Sequence, residues 1–497
     1  MKSMHKWTLQ NPFLEDFEPV VREILPWISR AGIETYQREG RPPITQATRT
    51  DRKRFIKLCH RGFAAGQELL IDNLLALKRQ QINYSLKLKE ARKSGHKDDA
   101  AHIIQIVRVL EQREWVLRSM ADFLALQMLR DEKWKIHRLI HFDEPPAISE
   151  AAVEAARKFA RLSNAADHLT FSLVTDITSC IHAGDILKVD FSGLKPKLSC
   201  IELKEGSINK EITEIVAGAA DLSLEILEMF RAKHGDTAIK QLRRVQRQHE
   251  RLAITAETIK RERGMDISTG KEIIIPSDVL ALGNWLKLFE RLITEVRSRG
   301  FAITEIEGAL QIAAYGGDIS GDHSGAIAHA IYHMLDPDKP CLLEDNAETE
   351  LKQMRDRLEH LIDFRSAIYY GDFLTPWVVG EDNLILDIVF GRIVILMHFD
   401  PHGLMKLSQK MKLPLRWATK AESAKHAHEK EVLQPMKFKH GILVTTANEP
   451  MVYVGPGWFK RVLFDFTLPS WLIRGVYHSR EDMIKEVKAG ETKKYPN

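Results

Sequence analysis

The stretch AGDILKVDFSGLKPKLSCIELKEG, residues 183–206, decides the fold of the central part of the chain. Residues 183–191 and 198–206 are each rich in the aliphatic and β-branched residues that favour strands. SGLKPK (192–197) lies between them and carries the glycine and proline of a turn. The stretch therefore predicts two strands joined by a short connection.

Further elements flank this pair of strands. HLTFSLVTDITSCI (168–181) predicts a preceding strand, and SEAAVEAARKFARL (149–162) predicts a helix before that, with Ser149 as its cap. Residues 208–263 predict a long helical region after the strands. The predicted order is helix, three strands, helix.

Acidic residues stand near the ends of these predicted strands. Asp185 and Glu202 lie on the two strands of one hairpin, so their carboxylates can point to the same end of a sheet. Carboxylate oxygens suit a hard divalent cation such as Mg²⁺, which can lower the pKa of a bound water. Lys204 follows Glu202 by two residues and therefore shares its face of the strand.

This pattern resembles the PD-(D/E)XK nuclease superfamily over about residues 150–265. Gly-Asp at 184–185 and Ile-Glu-Leu-Lys-Glu-Gly at 201–206 carry the resemblance. It implies a restriction-endonuclease-like α/β core in which Asp185 and Glu202 bind Mg²⁺, with Mn²⁺ as the alternative ion. Lys204 would position or activate the attacking water. The implied activity is metal-dependent hydrolysis of phosphodiester bonds, with DNA as the expected substrate and RNA still open.

The first acidic ligand is open on the sequence alone. Gly184 stands where the family pattern has proline, and Asp190 competes with Asp185. We prefer Asp185 because a preceding glycine permits close approach of a phosphate or metal, while Asp190 borders the turn. Asp176 on the first predicted strand is a more distant alternative.

Two accessory residues are implied by the same resemblance. Family members often carry a helical glutamate before the strands, and Glu154 is best placed for it, with Glu150 second. Some carry a polar residue on the helix after E-x-K. Gln241 is the candidate there, with Gln246 and Gln248 as alternatives.

A basic segment follows the candidate core. Residues 240–263 form a predicted helix whose cations could follow a nucleic-acid backbone, and its alternative role is an ordinary solvated helix face. The candidate nucleic-acid-binding residues are Arg243, Arg244, Arg247 and Arg251.

The length of 497 residues predicts several domains, and the fold class predicted is α+β multidomain. Residues 1–145 are a helical region with a long αα-hairpin over about 52–140, residues 146–265 the nuclease-like domain, and residues 266–497 an α+β region for regulation or for binding substrate or partners. In the last region we predict β-hairpins at 302–315, 384–399 and 442–455 and helices at about 277–299 and 347–364.

Other features of the chain carry less functional information. The net charge of +4 neither supports nor excludes nucleic acid. The four cysteines include no CxxC pair and predict reduced thiols, and neither a signal peptide nor a membrane span is recognisable. We expect a cytoplasmic protein. The sequence His398-Phe-Asp400-Pro-His402 could hold a transition metal, but Pro401 predicts a polar turn that ends a strand.

Two functions of different classes follow. The first is a Mg²⁺-dependent endonuclease, and the architecture of such systems suggests restriction or antiphage defence. The alternative is a non-catalytic nucleic-acid-binding or scaffold subunit. In either case the helical region is the expected surface for a homo-oligomer or a partner protein.

Overall fold

The protein has the mixed α+β architecture that the sequence predicts. The computed structural model describes residues 16–129, 147–181, 184–193, 196–203, 211–212, 215, 224–261, 263–265, 272–274, 283–316, 361–364, 382–424, 443–445, 452–454 and 456–488. These residues fall into two compact units, one between 16 and 274 and the other between 283 and 488. The predicted boundaries near 145 and 265 stay predictions. Within the described part, no helix is long and apolar enough to cross a membrane.

Four helices begin the first unit: α1 (Glu18–Ser29), α2 (Ala31–Arg38), α3 (Arg49–Lys93) and α4 (Lys97–Met128). Helices α3 and α4 form the predicted αα-hairpin, which is confirmed as far as Met128. Residues 130–146 lie outside the described residues. With 45 residues, α3 is about 67 Å long at the usual helical rise.

The first half of α3 is held against the shorter helices by close backbone contacts. A Cβ atom at Gly66 would lie 2.4 Å from Ile28 Cγ2, and one at Gly32 would lie 2.5 Å from Cys59 Cα. Larger residues at these glycines would therefore push α1 or α2 away from α3. The buried residues Leu70, Ile71 and Leu74 continue the buried face of α3 beyond Gly66.

A three-stranded antiparallel sheet follows in the order β1 (Thr170–Val174), β2 (Ile186–Asp190) and β3 (Lys197–Ile201). Helices α5 (Glu150–Ala166) and α6 (Leu224–Arg261) flank it in the chain, so the predicted order of helix, three strands, helix is confirmed. Three details differ from the sequence-based expectation. Ser149 occupies the N-cap position of α5 without a side-chain capping bond, α6 is interrupted at Gly235 with φ 81, and β3 ends at Ile201 before Glu202.

The outer edge of β1 is closed by side-chain amides. Gln67 of α3 donates from Nε2 to the Ser172 carbonyl at 3.3 Å and accepts from the Val174 amide at 2.9 Å. Asn164 of α5 forms a matching pair with Ser172, with distances of 3.1 and 2.7 Å. Both amides thus take the place of a fourth strand and satisfy backbone groups that would otherwise be buried without partners.

The second unit contains a four-stranded antiparallel sheet in the order β6-β7-β9-β8 and a smaller sheet in the order β10-β11-β12. A short hairpin, β4 (Arg263–Met265) and β5 (Glu272–Ile274), closes the first unit before it. The strands of the second unit are β6 (Phe301–Ile306), β7 (Leu310–Gly316), β8 (Leu361–Asp363), β9 (Ile393–Phe399), β10 (Leu415–Trp417), β11 (Leu443–Thr445) and β12 (Tyr453–Val454). Its helices are α7 (Leu286–Arg299), α8 (Asp382–Val389), α9 (Pro401–Lys410), α10 (Lys420–Ala424), α11 (Pro456–Phe464) and α12 (Pro469–Lys488).

The predicted hairpins of this unit have mixed outcomes. The hairpin at 302–315 is confirmed, and its turn has positive φ at Glu307 and Gly308. The hairpin at 442–455 is confirmed as β11 and β12. The hairpin at 384–399 is wrong: its first half is helix α8 and its second half is β9. A short run that is apolar throughout carries no periodicity to separate a buried helix from a buried strand.

The two predicted helices of this unit are partly wrong. Helix α7 begins at Leu286 and is confirmed as far as Arg299, whereas the prediction started near 277. Residues 361–363, expected at the end of a helix, form strand β8 against β9, and 347–360 lie outside the described residues.

We expect Gln67→Leu to lower the free energy of unfolding by about 2–3 kcal/mol, because the buried Val174 amide then loses its hydrogen-bond partner. Urea denaturation followed by circular dichroism measures the change. Gln80→Leu is the matched control, since Gln80 lies exposed on the same helix, and it should change stability by less than about 0.5 kcal/mol. Equal effects of the two variants would contradict the role given to Gln67.

Candidate acidic site

The three strands of the first sheet bring acidic residues to one end. Val174 pairs with Ile186 and Ile186 pairs with Ile201, so β1 ends, β2 begins and β3 ends at the same end of the sheet. The Asp185 carbonyl accepts from the Thr175 amide at 3.0 Å, and the Asp185 amide donates to the Ile201 carbonyl at 2.9 Å. Asp185 therefore lies between Thr175, which precedes Asp176, and Ile201, which precedes Glu202.

Gly184 makes this arrangement possible by its backbone conformation. Its φ is +76, and a Cβ atom there would lie 3.0 Å from the Ile201 carbonyl oxygen. Its carbonyl accepts from Thr175 Oγ1 at 2.5 Å. The sequence-based prediction that this glycine allows close approach of a phosphate or metal stays a prediction; the structure shows that it allows close approach to the backbone of Ile201 in β3.

The carboxylates at this end influence one another. Asp185 Oδ2 accepts from the Leu203 amide at 2.5 Å, so the Asp185 carboxylate lies beside the residues that directly follow β3. The pKa of the Asp176 carboxyl is raised to about 6, first by burial and next by the negative charge of Asp185. Glu202 adds a smaller increase, and Arg118 acts in the opposite direction. Asp176, Asp185 and Glu202, which we call the acidic cluster, therefore share one electrostatic environment.

Helix α4 fixes the segment that carries Asp176. The buried Arg118 donates from Nη1 to the carbonyls of Asp176 at 3.0 Å and Thr178 at 2.7 Å. One turn later, Asp122 Oδ1 accepts from the amides of Ser179 at 2.8 Å and Cys180 at 3.3 Å. The backbone after β1 is thus held at both carbonyl and amide groups.

Neither Arg118 nor Asp122 was identified from the sequence. A signal was present, because they are the charged residues of the largely apolar stretch VLRSMADFLALQM (116–128). Charged side chains in a buried helix need partners, so an i, i+4 pair of this kind indicates a buried polar contact. Burial raises the pKa of the Asp122 carboxyl, while the hydrogen bonds from Ser179 and Cys180 lower it.

The remaining predicted core residues are placed as follows. Glu202 follows β3 directly, and Lys204 lies outside the described residues. Asp190 lies at the opposite end of β2 from Asp185, where it pairs in register with Thr170 and Lys197. Its carboxylate accepts from the Ser192 amide at 2.7 Å. The structure therefore separates the two competing first ligands and brings Asp185 to Glu202.

The two candidate accessory glutamates, Glu154 and Glu150, lie on α5, and each forms an ion pair. Glu154 contacts Arg157 Nη1 at 3.2 Å, and Glu150 pairs with Arg79 of α3. Arg157 also contacts Glu68 and Asp72 of α3 at 2.7 Å each. These contacts join α5 to α3, and they give Glu154 a structural role that the resemblance did not suggest.

The downstream candidates lie on α6. Arg243 and Arg247 are exposed, four residues apart and therefore on one face of the helix. The side chains of Gln241, Arg244 and Arg251 are outside the described residues. Helix α6 contacts β3, so the exposed arginines belong to the same unit as the acidic cluster.

The alternating histidines of the second unit do not form the geometry that a strand would give. Strand β9 ends at Phe399, and Asp400 is the N-cap of α9, accepting from the His402 amide at 2.8 Å. His402 lies in the first turn of that helix, with its ring against Trp417. The prediction that Pro401 ends the strand is confirmed.

We compared the chain with protein-family models, with curated proteins and with solved structures, and none of these comparisons finds a match. Across the described part of the chain, no group of three or more His, Cys, Asp or Glu side chains could by itself hold a metal ion.

We expect Asp176→Asn to raise stability by about 3 kcal/mol near pH 7.5 and by much less near pH 4, as a pKa raised from 3.8 to about 6 implies. Between these pKa values the unfolded chain has lost the proton that the folded chain keeps. Stability of the unsubstituted protein therefore falls as the pH rises through this window, and asparagine removes that fall.

Denaturant unfolding at the two pH values measures this difference. Asp98→Asn, at an exposed position of α4, serves as the control and should leave the pH dependence unchanged. A stabilisation by Asp176→Asn that is equal at both pH values would show that the ionisation of Asp176 is not its cause.

Proposed function

We propose that the protein is a divalent-metal-dependent nuclease that hydrolyses phosphodiester bonds at the acidic cluster. The observation that carries the proposal is the cross-strand arrangement that sets Asp185 beside the segment Ile201–Leu203. The negative charges of Asp185 and Glu202 both raise the pKa of Asp176. The order of elements around the cluster, α5-β1-β2-β3-α6, agrees with a restriction-endonuclease-like core.

The donor set suits Mg²⁺ or Mn²⁺. Asp185 and Glu202 supply carboxylate oxygens, and the Leu203 carbonyl between Glu202 and Lys204 supplies a further oxygen. Mg²⁺ is commonly bound through one or two carboxylates while its other positions are taken by water and substrate phosphate. Two protein carboxylates are therefore sufficient, and a closed cage of three or more acidic or histidine ligands is not required.

The bound cation would supply Lewis-acid stabilisation of the phosphate and a lower pKa for a coordinated water. Residues of the chain would hold the cation and position the substrate. Asp185, which precedes β2, is oriented by the Leu203 amide, and Glu202 lies directly after β3. Lys204, two residues further, would place an ammonium group near the attacked phosphate.

Asp176 gives the cluster a group that changes protonation near neutral pH. In the metal-free chain its pKa is raised to about 6, and a cation held by Asp185 and Glu202 would lower that pKa, so the Asp176 carboxylate would be ionised and able to accept a proton at neutral pH. A general base works best when its pKa is near the working pH. We assign Asp176 the role of accepting a proton at its carboxylate, with Arg118 fixing the backbone that carries it.

The nucleic acid would contact α6 through Arg243 and Arg247, which are exposed on one helix face. Guanidinium groups bind phosphate through paired hydrogen bonds and release counterions, so they supply affinity without sequence preference. DNA is the first substrate to test and RNA the second. A scaffold or nucleic-acid-binding subunit without catalysis is the outcome if cleavage is absent.

We expect Glu202→Gln and Lys204→Met to reduce Mg²⁺-dependent cleavage of DNA or RNA by at least about 100-fold, because each removes a group that stabilises charge in the transition state. Asp190→Asn is the matched control: it removes a carboxylate from the other end of the same hairpin and should retain activity. Thermal unfolding verifies that each variant is folded.

Cleavage is measured on single-stranded and double-stranded substrates of both kinds, with Mg²⁺, Mn²⁺ or a chelator. Calorimetric titration with Mn²⁺ separates binding from catalysis, and Glu202→Gln should lose Mn²⁺ binding while Asp190→Asn keeps it. Absence of both cleavage and metal binding in the unsubstituted protein would reject the proposal and leave the non-catalytic alternative.

We expect the double variant Arg243→Ala/Arg247→Ala to bind nucleic acid more weakly regardless of base sequence. If both arginines contact phosphates, the plot of the logarithm of the binding constant against the logarithm of the salt concentration should become less steep, with a slope smaller in magnitude by about 2. Fluorescence anisotropy at several salt concentrations measures this slope. Arg231→Ala/Lys233→Ala, exposed before the break at Gly235, is the control, and an unchanged slope in the test variant would exclude the assigned contact.

A further inference from the structure

Strand β6 of the second unit presents exposed apolar side chains at alternate positions. Phe301 is 56% exposed and Ile303 is 44% exposed, and both lie on the same face because strand side chains alternate. The exposed Glu305 follows on that face, and the exposed Arg299 ends α7 just before the strand. The exposed sequence therefore reads basic, apolar, apolar, acidic along the strand direction.

The backbone of β6 has an open edge as well. It is the terminal strand in the order β6-β7-β9-β8, and among the described residues β7 is the one strand that pairs with it. The Gly300 carbonyl accepts from the Gly316 amide at 2.8 Å, which fixes the alternation of hydrogen-bonded pairs. Ala302 and Thr304 then direct their backbone groups to β7, and Phe301 and Ile303 direct theirs outward.

We propose that two copies of this chain associate through β6, edge to edge and antiparallel about a two-fold axis. Ala302 of one copy would lie opposite Ala302 of the other. Phe301 of each copy would then lie opposite Ile303 of the other copy, and both residues have outward-facing backbone groups. The two four-stranded sheets would continue as one sheet across the axis.

This register is selected by the side chains. It places apolar residues opposite apolar residues, and it brings the C-terminal end of α7, which carries Arg299, close to Glu305 of the other copy. A shift of two residues in one direction would put Phe301 opposite Glu305, and a shift in the other would bring the end of α7 with Arg299 close to Ile303. Both shifts set charge against apolar surface, which cross-strand pairs disfavour.

The size of the contact sets the strength of the dimer. Two outward hydrogen-bonded pairs, each exchanging two bonds, give about four backbone hydrogen bonds. This is a small interface, so we expect a dimer that depends on concentration in the micromolar range. The charges at both ends also limit the edge to a closed pair, since charged residues are a common means of preventing open-ended edge association.

Charge reversal tests the proposed register directly. Arg299→Glu would place two acidic residues at each end of the interface, and Glu305→Arg would place two basic residues there. Each variant alone should raise the dimer dissociation constant at least about 10-fold. Mixing the two variants should restore a heterodimer, because each charge then faces an opposite charge in the other chain.

Sedimentation velocity from about 1 to 100 µM measures these equilibria. Ile303→Pro is a second test, because proline there removes an outward N–H without removing a bond to β7, and it should abolish the dimer. Glu290→Arg reverses an exposed charge on α7 outside the strand and should dimerise like the unsubstituted chain. Thermal unfolding verifies the fold of every variant.

Three results would overturn the inference. The unsubstituted chain could remain monomeric over the whole range. The mixture of Arg299→Glu and Glu305→Arg could fail to form dimers although both variants are folded. Species larger than a dimer would show an open edge contact in place of a two-fold pair. None of these results bears on cleavage or metal binding at the acidic cluster.

Discussion

The first unit depends on hydrogen bonds that side chains of three helices, α3, α4 and α5, make to the backbone at the edge and end of β1. Gln67 and Asn164 satisfy the outer edge of the strand, and Arg118 and Asp122 satisfy the segment after it. Because these side chains are buried, each unmade bond would leave a polar backbone group without a partner in a low-dielectric interior. A sheet of three strands is small, and helix side chains complete it in place of further strands. The position of Asp176 relative to Asp185 follows from this arrangement.

The acidic cluster could be predicted in part from the sequence, and the reason lies in the range of the contacts. Asp185 directly precedes β2 and Glu202 directly follows β3, and these two strands are joined by a short connection, so local pattern places the two residues together. Asp190 could not be excluded in this way, because choosing between it and Asp185 needs the register, which puts them at opposite ends of β2. The contribution of α4 depends on a packing contact between residues 57 to 60 positions apart, and no local pattern encodes that pairing.

The second unit shows the same division between local and tertiary information. The hairpin of β6 and β7 has a turn with two residues of positive φ and a regular alternation, and both features are local. Residues 384–399 are apolar almost throughout, so the choice between helix α8 and a strand is made by what they pack against. Ser149 and Gly184 show a third case. Ser149 occupies the predicted N-cap position of α5 without making a capping bond, and the close contact of Gly184 is with Ile201 of the neighbouring strand, which residue type alone does not specify.

The shape of the helical hairpin gives it a mechanical property. From Lys97 near the tip to Arg118, α4 is a continuous helix about 30 Å long. Arg118 and Asp122 hydrogen-bond to the backbone around Asp176. A displacement of the hairpin tip would therefore be transmitted through one unbroken helix to the backbone that carries Asp176, whose pKa is raised to about 6.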